Sequence, residues 1–201
     1  MTIKTTALLG GAAAALLIGL TLGAGPGGDA QAQSMRQWGP QWTASGELAL
    51  PRDYRGWVFL GAPLTPNALN GGQAGFPEFH NVYIHPEPYR IYRETGTFPE
   101  GTVLVKELQL TLPSTSADGS SVEASGRGYF PGKLNGLDVA VKDSKRFAET
   151  RGWGFFNFGH HEPPYAASAK VADAAQCAGC HLANATKEMV FTKFYTLLYA
   201  D

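Results

Sequence analysis

The sequence predicts a mainly β fold of the α+β kind, an antiparallel sheet with a few helices, and three observations carry that prediction. The 201 residues include 25 glycines and 13 prolines, which punctuate the chain too often for a helical bundle. Aromatic residues make up 11%, a residue type that strands prefer. Those runs are short, several alternate apolar with polar residues, and glycine or proline bounds them. With 44% hydrophobic and 16% charged residues, the chain is long and apolar enough to bury a core, and a disordered chain is excluded.

In chain order, strands are expected near Trp57 to Leu60 and Val82 to His85. A helix follows over Glu87 to Glu94, with Gly96 as its stop. Further strands are expected at Thr102 to Leu112, Leu137 to Val141 and Trp153 to Phe158, with a second helix over Ser144 to Glu149. Ser114 to Ser125 forms a polar, serine-rich loop, and no internal repeat occurs. A last helical pattern runs through Phe191, Phe194, Leu197 and Leu198.

Residues 1–32 stand apart from this fold. Lys4, the apolar stretch Ala7 to Leu22 and the small-x-small triplet Ala30-Gln31-Ala32 describe a secretory signal peptide, cleaved after Ala32. The competing reading is an uncleaved anchor, because the stretch approaches the roughly 18 residues a spanning helix needs. Gly19, Gly23, Gly25 and Pro26 weaken such a helix. Export places the mature chain in a periplasm, with 33–45 as a flexible N-terminal segment and 46–201 as a single domain. The 16 basic residues balance 17 acids without any basic run, which argues against nucleic acid as a partner.

The only cysteines are Cys177 and Cys180, in the string Cys177-Ala178-Gly179-Cys180-His181. C-x-x-C-H is the attachment motif of c-type haem, in which two thiols form thioethers and the histidine ligates iron. One local loop thus makes three attachments, with His181 as the metal ligand. A zinc site would want a second ligand pair, and a redox dithiol would want a preceding strand with a helix starting at the cysteines. The opposite face of the iron decides between electron transfer and chemistry on a bound ligand. Met35 lies in the N-terminal segment, and Met189 is too near His181 in sequence to reach the opposite face. His80, His85, His160 and His161 sit beside turn residues and are expected to be loop histidines, which leaves the sixth position open.

One strand breaks its own pattern. In Thr102 to Leu110, the period of two puts Lys106 on the face of Leu104, Leu108 and Leu110. A buried ammonium must find a partner, reach the sheet edge or lose its proton, and a neutral amine is a nucleophile.

These strings resemble the cytochrome P-460 family. The similarity runs from about Gly46 to Tyr199, through Phe98-Pro99-Glu100-Gly101-Thr102-Val103-Leu104-Val105-Lys106-Glu107-Leu108, Gly128-Tyr129-Phe130, Gly136-Leu137-Asp138 and Val141 to Ala148. It continues through the C-x-x-C-H motif and Met189 to Tyr195. The resemblance implies a predominantly β, dimeric protein with one covalent haem c per chain, whose porphyrin is also cross-linked to the lysine that Lys106 matches. It further implies a five-coordinate iron that binds hydroxylamine or nitric oxide, oxidation of hydroxylamine to nitrogen oxides, and an electron-accepting cytochrome or other redox partner.

That chemistry asks for a base on the distal side, within hydrogen-bond reach of the substrate. Hydroxylamine-oxidising members carry glutamate where this chain has Asp138, shorter by one methylene. By pattern alone Asp138 is a turn acid following Asn135-Gly136. Two other classes stand beside the oxidase. A nitric oxide binder like the cytochrome c-prime-beta relatives would lack the lysine link and crowd its distal face with phenylalanines such as Phe76, Phe79 and Phe98. An electron-transfer cytochrome c would need a strong sixth ligand.

Overall fold

The computed structural model describes residues 38–199 and is mainly β. Nine strands occur: β1 (Leu48–Ala49), β2 (Val58–Gly61), β3 (Phe79–Ile84), β4 (Val103–Thr111), β5 (Ser121–Glu123), β6 (Gly126–Gly128), β7 (Pro131–Lys142), β8 (Trp153–Asn157) and β9 (Ser168–Ala169). They form a five-stranded antiparallel sheet in the order β2-β3-β4-β7-β8, with β1 pairing β9 and β5 pairing β6. Among the described residues they are accompanied by the α-helices α1 (Pro86–Thr95) and α2 (Ala178–Asn184).

The five strands expected from the sequence are the five of the central sheet. β4 lies at its centre with both edges paired, and a core covers each of its faces. Val103 and Val105 point into a core with Val139, Val141, Phe147 and Phe156. Leu104 points the other way, into a core with Val82, Ile84, Trp153, Phe155 and Ala178 of α2. Helix α1 forms where expected: Pro86 opens it, His85 Nδ1 accepts the Glu87 N–H at 3.2 Å, and Gly96 ends it in the left-handed conformation.

Three expectations are corrected. No α-helix forms over Ser144 to Glu149, because the Asp143 carboxylate takes the N–H groups of Lys145 and Arg146 and turns the chain, leaving a 3-10 turn at Ala148–Thr150. The turn drops the Phe147 ring over Gly154, where a Cβ would stand 2.4 Å from it. The C-terminal helical pattern resolves into two 3-10 turns, Thr192–Phe194 and Thr196–Leu198, split by an extended, buried Tyr195. The serine-rich stretch is partly a hairpin, β5 with β6, stapled by Arg127 bonds to Ser120 and Asp118.

The segment 33–45, expected to be flexible, is packed from Trp38 onward: Trp38 is buried, and Trp42 contacts Phe156 and lies under the Arg146 guanidinium. The signal peptide or anchor and Met35 lie outside the described residues. Among the described residues no helix is long and apolar enough to cross a membrane.

The sheet also buries an acid. Glu107 is 2% exposed, and its carboxylate accepts from the Tyr54 hydroxyl at 2.6 Å and from both Nε and Nη2 of Arg55 at 3.1 and 2.6 Å. Burial and the neighbouring carboxylate push the Tyr54 phenol far above its usual range, so it stays a donor. Glu107→Ala leaves that hydroxyl buried and unpaired, and is expected to lower the unfolding free energy by about 1–3 kcal/mol in chemical denaturation.

Candidate haem-binding site

The cysteines and His181 lie on one helical turn. Cys177 caps α2, Ala178 is buried against the sheet, and the helix carries Cys180 and His181. Both thiols are free. The His181 imidazole packs between the rings of Phe155 and Phe191, at 4.4 and 4.9 Å. Its Nδ1 donates to the Met189 carbonyl at 2.6 Å, which fixes the tautomer and leaves Nε2 with a lone pair for a metal. Burial holds this imidazole below its ordinary pKa, so it stays neutral, as an iron ligand must.

The turn that presents the Met189 carbonyl is strained. Glu188 and Met189 both have positive φ, 47° and 64°, unusual for residues with side chains. A clamp holds them: the Lys142 ammonium binds the Glu188 carboxylate and donates to the Phe98 carbonyl at 2.6 Å, while Glu188 also takes the Phe98 N–H. Neither Lys142 nor Glu188 stands out in the sequence. Glu188→Ala removes the clamp, and the turn is expected to relax and loosen the His181 hydrogen bond. The iron–histidine stretching band of the ferrous holoprotein should then shift to lower frequency at unchanged haem content.

Across the sheet, register brings together residues that the sequence leaves apart. Lys106 pairs with Asp138 on β7, and Asp138 with Asn157 on β8, so the three side chains form one row. Lys106 Nζ is 2.9 Å from Asp138 Oδ2, and Asn157 Nδ2 donates to Asp138 Oδ1 at 2.7 Å. Asp138 is therefore not a turn acid. It sits inside β7, on the face of Leu104 and Lys106. The charges of Lys106 and Asp138 both act on Cys177 and His181, so row and motif face one region. The Cys177 thiol is pushed up, first by burial and then by Asp138. That is opposite to what a dithiol oxidoreductase needs, and a turn rather than a strand precedes the cysteines.

Of the distal candidates, Phe76 lies with its ring 4.1 Å from Lys106 Nζ. Phe98 is fully buried between Tyr92 and Trp153, in the same core as Phe155 and Phe191, and Phe79 alternates to the other face of β3. Met189 is buried, with its carbonyl on His181. His85 caps α1, His160 meets Glu78 and His161 meets the Glu162 carbonyl. His80 is not a loop histidine: it lies within β3, and its Nε2 is buried without a partner.

Free thiols, an imidazole held for ligation and an apolar wall fit a c-type haem, with Cys177, Cys180 and His181 able to hold it. Among the described residues no group of three His, Cys, Asp or Glu side chains is placed to hold a bare metal ion. A cleft of about 710 Å³ between α1 and the C-terminal turns includes none of these residues. Compared with known families, residues 51–192 match the model of the cytochrome P-460 family. No curated protein matches the chain significantly.

Proposed function

The chain belongs to the cytochrome P-460 family and is a c-type haem protein, and from that premise we propose that it oxidises hydroxylamine to nitric oxide or nitrous oxide in the periplasm. Electrons pass to an external acceptor. The observation that carries the reading is the row Lys106–Asp138–Asn157, a carboxylate held on the sheet face that the C-x-x-C-H motif also faces.

Bound through Cys177, Cys180 and His181, the haem supplies the centre at which hydroxylamine binds and gives up electrons. Asp138 supplies the base. Asn157 holds Oδ1 and Lys106 faces Oδ2, so the carboxylate is kept in one orientation on the sheet face where it would accept a substrate proton. A bond from Nζ to the porphyrin would take the ammonium charge from Lys106 and so remove the cation paired with Asp138. Relative to glutamate the side chain falls short by roughly 1.5 Å, a gap that one bridging water spans.

A second reading, a nitric oxide binder of the cytochrome c-prime-beta kind, draws on Phe76, whose ring already lies beside Lys106 and His80. Spectra separate the two from an electron carrier. The resting ferric protein is expected to be high-spin, and hydroxylamine should perturb its Soret band saturably. A low-spin spectrum indifferent to hydroxylamine and nitric oxide would move the reading to electron transfer.

A further inference from the structure

We propose that His80, Glu78 and His160 form a proton relay that connects Asp138 to solvent. Oxidising hydroxylamine releases as many protons as electrons, and one carboxylate holds only one. The proposal rests on Asp138 being the acceptor, and it concerns how that acceptor is emptied.

Glu78 is only 1% exposed, though carboxylates are seldom buried without full pairing. Its Oε1 accepts from Asn135 Nδ2 at 2.6 Å and meets His160 Nε2 at 3.0 Å, while Oε2 is buried with no partner. Two residues on, His80 Nε2 is also buried with no partner. His80 pairs with Leu108 in the register that pairs Val82 with Lys106, so it shares a face with the Lys106–Asp138 row. Two orphaned atoms, one on an acid just before β3 and one on an imidazole within it, thus come from residues two apart in the chain. A protein that needed only packing here would use apolar side chains at lower cost.

The line has an inner and an outer end. At the inner end, the charges of Lys106 and Asp138 both act on His80. Burial, followed by Lys106, holds the His80 imidazole below its ordinary pKa, and a backbone bond to Phe76 opposes this. The ring is therefore neutral at pH 7: one nitrogen donates to the Phe76 backbone, and the unpartnered Nε2 is left to take up a proton and pass it on. At the outer end, the His160 side chain is 45% exposed, so a proton reaching it meets water. Gly136 makes room for it, since a Cβ there would lie 3.1 Å from the His160 ring. A water between Glu78 Oε2 and His80 Nε2 would satisfy both atoms and complete the line. Phe76 packs against both imidazoles and shields the inner part of the line from solvent.

The test needs no hydroxylamine. The ferric holoprotein is reduced by a flash-activated photosensitiser in weakly buffered solution, while haem absorbance and a pH-indicator dye are followed together. In the natural protein, reduction should draw in a proton on Asp138. Glu78→Gln and His80→Gln should keep the amplitude of uptake but slow it about tenfold or more. Asp138→Asn should lose the amplitude instead. Should Glu78→Gln fail to load haem, His80→Gln and the exposed His160→Asn carry the same comparison.

Uptake at the natural rate in these variants, loss of amplitude rather than rate, or no uptake in the natural protein each overturns the relay. A low-spin ferric spectrum that His80→Gln converts to high-spin would make His80 an iron ligand and overturn it as well. Hydroxylamine turnover, assayed separately, reports on the oxidase reading: a protein that shows the rate loss but never oxidises hydroxylamine keeps the relay and loses that reading.

Discussion

Replacing Asp138 with alanine is expected to slow oxidation of bound hydroxylamine by roughly 10²–10⁴, the usual contribution of a positioned base. Haem content and hydroxylamine affinity should stay nearly unchanged, because Asp138 is outside the C-x-x-C-H motif and its removal takes away a proton acceptor rather than a haem ligand. Asp138→Asn keeps the shape and can still bond Asn157, yet it cannot accept the proton, so it should behave like the alanine variant. Asp138→Glu adds the missing methylene and should match or exceed the natural rate. Single-turnover haem reduction, measured alongside a binding titration, separates a lost base from a lost haem. An alanine variant as fast as the natural protein would leave Asp138 with its ion pair and no part in the chemistry.

The second large effect concerns Lys106. Proteolysis and mass spectrometry are expected to recover one haem bridging a peptide with Lys106 to the peptide with Cys177 and Cys180. Lys106→Leu should abolish the bridged species entirely and leave haem on the cysteine peptide alone. The geometry sets the condition for the bond. Nζ must be neutral to act as a nucleophile, and in the folded chain it sits 2.9 Å from the Asp138 carboxylate and 4.1 Å from the Phe76 ring. Asp138→Asn removes one of these two and should not impair formation of the bridged peptide. Haem on the cysteine peptide alone in the natural protein would favour the gas-binding reading.

The alternation of β4 was legible because a period of two needs no knowledge of the partners, and it exposed Lys106 as a charge on an apolar face. The same pattern left Glu107 unnoticed, since its partners Tyr54 and Arg55 lie on a distant turn. Asp138 was harder. After Asn135-Gly136 it looks like a turn acid, and only the register of β7 with β4, fixed by long-range pairing, sets it beside Lys106. The helix α1 carried its own signals in Pro86 and Gly96, whereas Ser144 to Glu149 had helical composition and was diverted by Asp143. The strained turn at Glu188 and Met189 had no signal at all, because positive φ at non-glycine residues is imposed by the Lys142 clamp from another strand. His80 stands beside turn residues in the sequence, though His80-x-Val82-x-Ile84 is the alternation of one strand face.

The central claim is that electrons and protons leave hydroxylamine at this site. The most direct measurement mixes purified ferric protein anaerobically with hydroxylamine and an artificial electron acceptor, then counts acceptor reduced and nitric or nitrous oxide formed for each hydroxylamine consumed. Catalytic reduction of the acceptor, in step with nitrogen oxide production and lost in Asp138→Ala, is the predicted result. Saturable binding of hydroxylamine with no acceptor reduced and no nitrogen oxide formed would contradict it, and would make this chain a ligand-binding haem protein.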